Sequence, residues 1–296
     1  IADVSTFYHP ASAGCKEYVL ECVRHYDPSN MYSQEGWFGI LANWGFGYGF
    51  IAGPEASMHY KFYTTCGYSY FNPSKSLYDA FVAEEGADGY RLNAWIRTWE
   101  QVIAMNIAVN TTTNKYASEG YFRLKWLAST DDEFVGYWCG NQSNTPVIRY
   151  ADVLLMAAEA CLQAGDQAGA DEYLGRVRDR ARLPRKSHVT LSDIKLERRL
   201  ELAMEGMRFQ DLKRWGDAPA VLADKGKKLP TFQIVPDPNN DLTTAAGIYN
   251  ACYTTKTNYV DNEKSLAGWT PNRDEWLPFP ENELEVNSNL KQNPGY

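Results

Sequence analysis

The sequence predicts a mainly α-helical protein, a helical-hairpin scaffold with long irregular, aromatic-rich loops and a few short strands. Residues 149–216 carry apolar side chains at helical spacing almost without interruption. Residues 36–53, GWFGILANWGFGYGFIAG, interleave aromatics with glycines, and so many glycines cost too much conformational entropy for a long regular element. Beyond residue 216 prolines recur at 219, 230, 236, 238, 271, 278, 280 and 294, so that stretch reads as mostly irregular. With 44% apolar residues in 296, the chain has the makings of a real core.

In chain order, Lys16 to His25 has the β-type residues of a short strand (Tyr18, Val19, Val23), closed by a turn at Asp27-Pro28. The glycine-interleaved stretch follows, carrying Trp37, Phe38, Trp44, Phe46, Tyr48 and Phe50. A second aromatic cluster comes at Tyr60, Phe62, Tyr63, Tyr68, Tyr70 and Phe71. Pro73 and Ser74 open a helix carrying Leu77, Tyr78, Phe81 and Val82, which closes near Gly86. Arg91 to Trp99 alternates imperfectly and reads as strand-like. Gly120 to Leu127 alternates better, with Phe122, Leu124 and Trp126 on one face, and NTTTNK (110–115) is a polar loop between them.

The helical grammar is strongest next. From Tyr150 to Ala164 the strongly polar side chains Asp152, Glu159 and Gln163 fall on one narrow stripe, and Val153, Leu154, Met156, Ala157, Ala160 and Cys161 fill the rest of a helix that must be buried on most sides. Gly165 ends it and Asp166 caps a second helix with Ala170, Leu174, Val177 and Ala181 on one face, stopped by Pro184. So short a link makes the two helices an antiparallel hairpin. Thr190 with Asp193 forms a capping-box pattern ahead of a third helix bearing Ile194, Leu196, Leu200 and Ala203, and Gly206 breaks it before Arg208 to Trp215.

On the third helix Glu197, Glu201 and Glu205 form a carboxylate row with Arg198 and Arg199 alongside. Two carboxylates ~5–6 Å apart at Cβ are the residue types with which a glycosidase supplies its acid and its nucleophile or base. Arginines so close hold carboxylates ionised, whereas a general acid needs an apolar setting that raises its pKa. The row therefore reads as a structural ion-pair network locking this helix to its neighbours, and no catalytic residue is predicted.

A net charge of −8 and a pI near 5.1 argue against nucleic acid and acidic lipids as partners; the cationic run Lys225 to Lys228 is short and reads as a solvated loop end. Cys15, Cys22, Cys66, Cys139, Cys161 and Cys252 lack CxxC spacing and the four histidines are scattered, so no metal site is expected; disulfide pairing stays open. Neither a phosphate loop nor GxSxG occurs, and GFGYGF lacks the setting of a dinucleotide fingerprint, so no cofactor is expected. The remaining chemistry is aromatic. Trp37, Trp44 and Tyr48, with Tyr68 and Tyr70, are the candidate carbohydrate-binding residues, because flat rings stack on sugar C–H faces while nearby amides and carboxylates satisfy hydroxyls. Flanking glycines leave few neighbours to bury every ring; the competing reading packs each ring into the core.

Several of these phrases resemble one family. PVIRYADVLLMAAEA (146–160), LGRVRDRARLP (174–184), the segment from ERR to RWG (197–216) and NSNLKQNPGY (287–296) are similar, in order, to the C-terminal region of SusD/RagB-like proteins, and DGYRL (88–92) and GYFRLKW (120–126) extend the likeness. The resemblance implies a tetratricopeptide-like α/α superhelix. It further implies a surface-exposed lipoprotein of the outer membrane that hands an oligosaccharide or other nutrient to a TonB-dependent (SusC-like) transporter, without catalysis. Membrane attachment would run only through an N-terminal lipid anchor not present in this chain. Complete members carry an N-terminal helical half, so a chain that begins at Ile1 without a signal sequence reads as a C-terminal piece. One domain over 1–296 is expected, with a helical core at 149–216, an irregular aromatic-rich part at 1–148, and a segment 217–296 that wraps the scaffold and pins itself by Trp269, Trp276 and Phe279. Two other functions compete: a glycoside hydrolase using Glu197 and Glu201, and a helical adaptor that binds protein.

Overall fold

A computed structural model describes residues 3–4, 7, 12–23, 46–47, 66–67, 72–98, 100–101, 115–116, 119–125, 144–236, 253–262 and 268–296, with the backbone alone at 46–47, 66–67, 115–116, 231–236 and 253–257. The fold is mainly helical with short strands. Its helices are α1 (Lys75–Glu85), α2 (Tyr90–Trp95), α3 (Tyr150–Gln163), α4 (Gln167–Arg180), α5 (Leu191–Glu201), α6 (Met207–Arg214), α7 (Ala218–Val221) and α8 (Glu281–Val286). The strands are β1 (Tyr18–Cys22), β2 (Phe46–Gly47), β3 (Cys66–Gly67), β4 (Ile96–Thr98), β5 (Lys115–Tyr116), β6 (Tyr121–Arg123), β7 (Thr145–Arg149), β8 (Lys228–Pro236) and β9 (Tyr253–Asp261). Two compact units are present, one of residues 1–204 with 230–258, the other of 205–229 with 259–296.

In the first unit α3 and α4 form the expected hairpin, and α3 also packs on α5. Ala158 and Ala170 are wholly buried, and so small a pair lets the backbones approach closely. Asp166 accepts the amide of Gly169 at 2.9 Å and caps α4. Thr190 and Asp193 complete the capping box of α5. That helix ends at Glu201, two residues short of the Ala203 expected on it. Gly206 sits at φ 81, a left-handed turn cheap for glycine, and starts α6 afresh. The polar stripe of α3 is divided, with Gln163 exposed. Asp152 and Glu159 are buried while Met156 is exposed, because Asp152 faces Arg198 of α5 at 2.8 Å.

The short elements before the hairpin follow the same logic. Ser74 caps α1 by accepting the Leu77 amide at 3.2 Å, and Gly86 ends it at φ 80. Arg91 to Trp95, expected as strand, is helical instead. The Glu85 carboxylate accepts the amides of Arg91 at 3.1 Å and Leu92 at 3.4 Å, which satisfies first-turn donors and starts α2. Only Ile96 to Thr98 is extended, and β4 pairs antiparallel with β6 in the register Ile96↔Arg123, Arg97↔Phe122, Thr98↔Tyr121. Phe122 and Leu124 are buried as expected; Trp126 lies outside the described residues. Antiparallel pairing of β1 with β7 sets Tyr18 opposite Arg149.

The core of this unit joins Phe81, Leu92, Trp95, Ile96 and Leu200 to Val4 and Phe7. Trp95 donates its indole N–H to the carbonyl of Val4 at 3.1 Å and stacks on Phe7 with centroids 6.1 Å apart.

Beyond residue 216 the chain is more regular than its prolines announce. β8 and β9 are nine residues each and, with β5, form a sheet in the order β5-β8-β9. Pairing with β5 involves Thr231 and Phe232, which leaves Pro230 and Pro236 outside that ladder. In the second unit Trp269 packs against Phe209 with centroids 6.3 Å apart, whereas Trp276 and Phe279 are exposed.

Replacing the buried Trp95 by Ala should lower stability by about 3–5 kcal/mol, since the large void is incompletely refilled. Urea unfolding of the variant beside the parent protein measures this.

Candidate functional site

The candidate stacking residues Trp37, Trp44, Tyr48, Tyr68 and Tyr70 lie outside the described residues. Between them the backbone is informative at one point. β2 and β3 pair in parallel, Phe46 with Cys66 and Gly47 with Gly67, so the two aromatic-rich stretches meet there. Tyr48 and Tyr68 are the residues that follow directly in the chain.

The carboxylate row is fully visible, and its geometry decides what it can do. Glu197 and Glu201 are buried. Arg91 reaches Glu197 Oε1 from Nη1 at 2.5 Å, Glu201 Oε2 from the same nitrogen at 3.1 Å, and Glu85 Oε1 from Nε at 2.7 Å. Arg149 Nη1 contacts Glu201 Oε1 at 3.0 Å and Glu17 Oε1 at 2.8 Å; Arg180 pairs with the same two carboxylates. Arg178 Nη1 bridges Glu197 at 3.0 Å and Glu84 at 2.6 Å. Lys125 Nζ donates to the main-chain carbonyls of Glu201 at 2.8 Å and Ala203 at 3.1 Å, and sits 3.8 Å from the Trp95 ring centroid.

The partners come from elsewhere than the sequence neighbours. Arg198 goes to Asp152, and Arg199 donates to the carbonyl of Ser76 at 3.0 Å and its hydroxyl at 2.7 Å. Glu205 lies beyond the end of α5. The arginines that matter reach in from α2, α4 and β7, positions no local pattern singles out.

Electrostatics follows from this packing. Burial pushes the Glu201 carboxyl upward, but the combined field of Arg180, Arg149, Arg91 and Lys125 outweighs it and holds the pKa down to about 2. Burial likewise pushes Glu84 up, and Arg178 and Lys186 overcome it, leaving its pKa lowered. Glu85 shifts the other way, raised by burial that Arg91 does not fully offset. Its oxygens are occupied by Arg91 Nε and by the amides of Arg91 and Leu92, so no substrate proton can be exchanged there. A buried, permanently ionised Glu201 ringed by guanidinium groups is not a glycosidase acid. Two of those donors, Arg91 Nη2 and Arg180 Nε, have no hydrogen-bond acceptor among the described residues. Each unmet donor carries a desolvation cost that the ion pairs around it must offset.

Comparison with known proteins comes last. A family model, that of the SusD family, matches residues 16–296. A SusD-like protein of Bacteroides ovatus is 42% identical over 77 residues, 24% of this chain and 14% of the relative. SusD-like protein P2 of Formosa agariphila is 32% identical over 194 residues, 60% of this chain and 29% of the relative. Among solved structures, a laminarin binding SusD-like protein superposes with TM-score 0.64 at 24% identity, covering 100% of this chain and 53% of that one. Surface glycan-binding protein A from Bacteroides thetaiotaomicron, in complex with laminarihexaose, gives 0.67 at 22% identity over 99% of this chain and 55% of that one. The chain thus spans about half the length of these solved structures, and its matched segments cover less than a third of the curated relatives. At these identities the structural likeness establishes the fold.

Replacing Glu201 with Gln leaves Arg91, Arg149 and Arg180 facing a neutral group in a buried site, which should cost about 3–5 kcal/mol in denaturant unfolding. Acid should act on the same residue. Its folded pKa of about 2 lies below the ordinary 4.5, so its contribution is fully present above pH 4.5 and is lost as pH falls toward 2. Glu84 adds in the same direction, while Glu85, whose pKa is raised, opposes them. Melting temperatures should therefore drop between about pH 4.5 and 2, and the drop should shrink in the Glu201→Gln variant.

Proposed function

We propose that this chain, which belongs to the SusD family, is a non-catalytic glycan-binding part of a surface lipoprotein that delivers oligosaccharide to a TonB-dependent (SusC-like) outer-membrane transporter. The observation that carries this reading is the match of essentially the whole chain to the fold of proteins named for laminarin and surface-glycan binding, one of them holding laminarihexaose. Among the described residues no helix is long and apolar enough to cross a membrane.

The binding face in this reading is the pair of aromatic stretches that meet at β2 and β3, with Trp37, Trp44, Tyr48, Tyr68 and Tyr70 as the stacking residues. Support comes from composition and from that one backbone junction. Rings flanked by glycine offer flat faces to sugar C–H groups, and binding needs several of them because each contributes on the order of 1 kcal/mol. A hydrolase reading loses its catalytic pair, since Glu197 and Glu201 are committed to arginines. An adaptor reading would require that no small ligand binds.

Titration calorimetry with laminarihexaose tests the proposal. Trp44→Ala or Trp37→Ala should weaken binding about 5-fold with the melting temperature unchanged. A large fall in melting temperature with unchanged affinity would assign those rings to the core, and sugar release abolished by Glu201→Gln would overturn the non-catalytic reading.

A further inference from the structure

We infer that Val4 and Phe7 form a plug over the charge network, one that opens without unfolding of the α3–α4 hairpin and sets whether water reaches the ion pairs of Glu201. Both side chains are buried, 1% and 3% exposed, and both precede β1 in the chain. The Phe7 ring stacks on Trp95, and the guanidinium carbons of Arg149 and Arg180 lie 4.9 and 5.1 Å from its centroid. Both arginines pair with Glu201. Lys125, which donates to the Glu201 carbonyl, rests on Trp95 itself. Phe7 and Trp95 therefore make one aromatic layer in contact with three cations of the network, and cation–π attraction is largest where water is excluded.

The plug is held in a different way from the hairpin. The Val4 N–H donates to the Tyr90 hydroxyl at 3.1 Å, the Val4 carbonyl accepts the Trp95 indole N–H at 3.1 Å, and the Tyr90 hydroxyl donates onward to Asp3 at 2.8 Å. Tyr90 and Trp95 are the first and last residues of α2, so two side chains of one short helix grip a single backbone unit. Tyr90 is half-buried, with the Arg182 guanidinium 3.6 Å from its ring centroid. By contrast α3 and α4 are helices of 14 residues each, in which every amide shares its turn with neighbours that must break with it. Hydrogen bonds that stand outside such a cooperative element open at lower cost, as a local event.

Opening at Val4 and Phe7 has two effects, both fixed by what these residues touch. It uncovers the buried Trp95 and frees its indole N–H to exchange with solvent. It also takes the ring away from Arg149 and Arg180 while their pairs with Glu17 and Glu201 stay in place. Ion pairs kept dry feel little of the dissolved salt, whereas pairs in contact with water are screened. Arg91 lies between Tyr90 and Trp95 in α2, so the helix that grips the plug also supplies an arginine shared by Glu85, Glu197 and Glu201. None of the candidate stacking residues takes part, and the plug stands whichever ligand the chain binds.

Hydrogen exchange of the full chain, followed by NMR at urea concentrations below its unfolding transition, tests the plug. The Trp95 indole proton should exchange roughly 100-fold faster than the most protected amides of α3, and its rate should hardly respond to urea, because a local opening exposes little surface. Phe7→Ala should speed the indole proton a further ~10-fold or more. Indole and α3 protons that exchange at one rate with one urea slope overturn the local opening, as does an indole rate that Phe7→Ala leaves unchanged. Salt reads the second half of the inference. Raising NaCl from about 0.05 to 0.5 M should lower the melting temperature of Phe7→Ala more than that of the parent, while Phe7→Leu, which refills the volume, should follow the parent. An identical salt response in Phe7→Ala and the parent overturns control of water access, and a Phe7→Leu variant that responds like Phe7→Ala overturns exclusion of water as its cause. If Phe7→Ala misfolds, Val4→Ala serves in the same comparisons, and the urea series on the parent stands without either.

Discussion

Glu201 is the residue on which the first unit depends. It is a carboxylate taken wholly out of water at the end of α5, and an isolated charge in that position would cost several kcal/mol or simply take up a proton. The fold keeps it ionised by bringing Arg91, Arg149 and Arg180 to its oxygens, and each of those cations is held by a second carboxylate: Arg91 by Glu197 and Glu85, Arg149 and Arg180 by Glu17. Each of these arginines bridges two or more carboxylates, so removing one member disturbs several others. That mutual dependence ties α1, α2, α4, α5, β7 and the residue ahead of β1 to a single geometry.

The same position solves a second problem. A helix leaves its last carbonyls without intrahelical partners, and the C-terminal end of α5 is buried. Lys125 and Arg149 both donate to the carbonyl of Glu201, and Lys125 also takes that of Ala203, so cations lie where the helix dipole is negative. Lys125 in turn rests on Trp95, the largest ring of the apolar core. Charge network and hydrophobic core are therefore one structure, joined face to face at Trp95.

How much of this the sequence reveals depends on how local each interaction is. The hairpin, its caps and the end of α1 are legible because period and capping residues act within a few positions of one another, as Asp166 does on Gly169. Arg91 and Glu197 are 106 positions apart, and nothing in a helical pattern relates them. The neighbours that a linear reading offers, Arg198 and Arg199, point to other elements, since adjacent residues on a helix do not face one another. α2 was misread as strand for a related reason: its first turn is completed by a carboxylate from the preceding helix, not by its own residues. β8 is hidden by its own prolines, Pro230 and Pro236, which lie outside the positions paired with β5. Of the candidate site, composition exposes the aromatic stretches and the backbone adds the point where they meet, while the ring positions of Trp37, Trp44, Tyr48, Tyr68 and Tyr70 fall outside the described residues.

The charge balance of the interior also bears on what the surface can recognise. Within the network, Glu17, Glu84, Glu85, Glu197 and Glu201 are matched by Arg91, Arg149, Arg178, Arg180 and Lys125, so it contributes no net charge. The excess of −8 therefore resides among the remaining side chains. A net negative charge repels anionic sugars and adds nothing to the capture of neutral ones, for which stacking on aromatic planes supplies affinity without charge. Candidate binding stretches built from tyrosine, tryptophan and glycine fit the proposal of a neutral glycan ligand. The glutamates of the network hold the shape of the scaffold, and under that proposal recognition falls to rings that carry no charge at all.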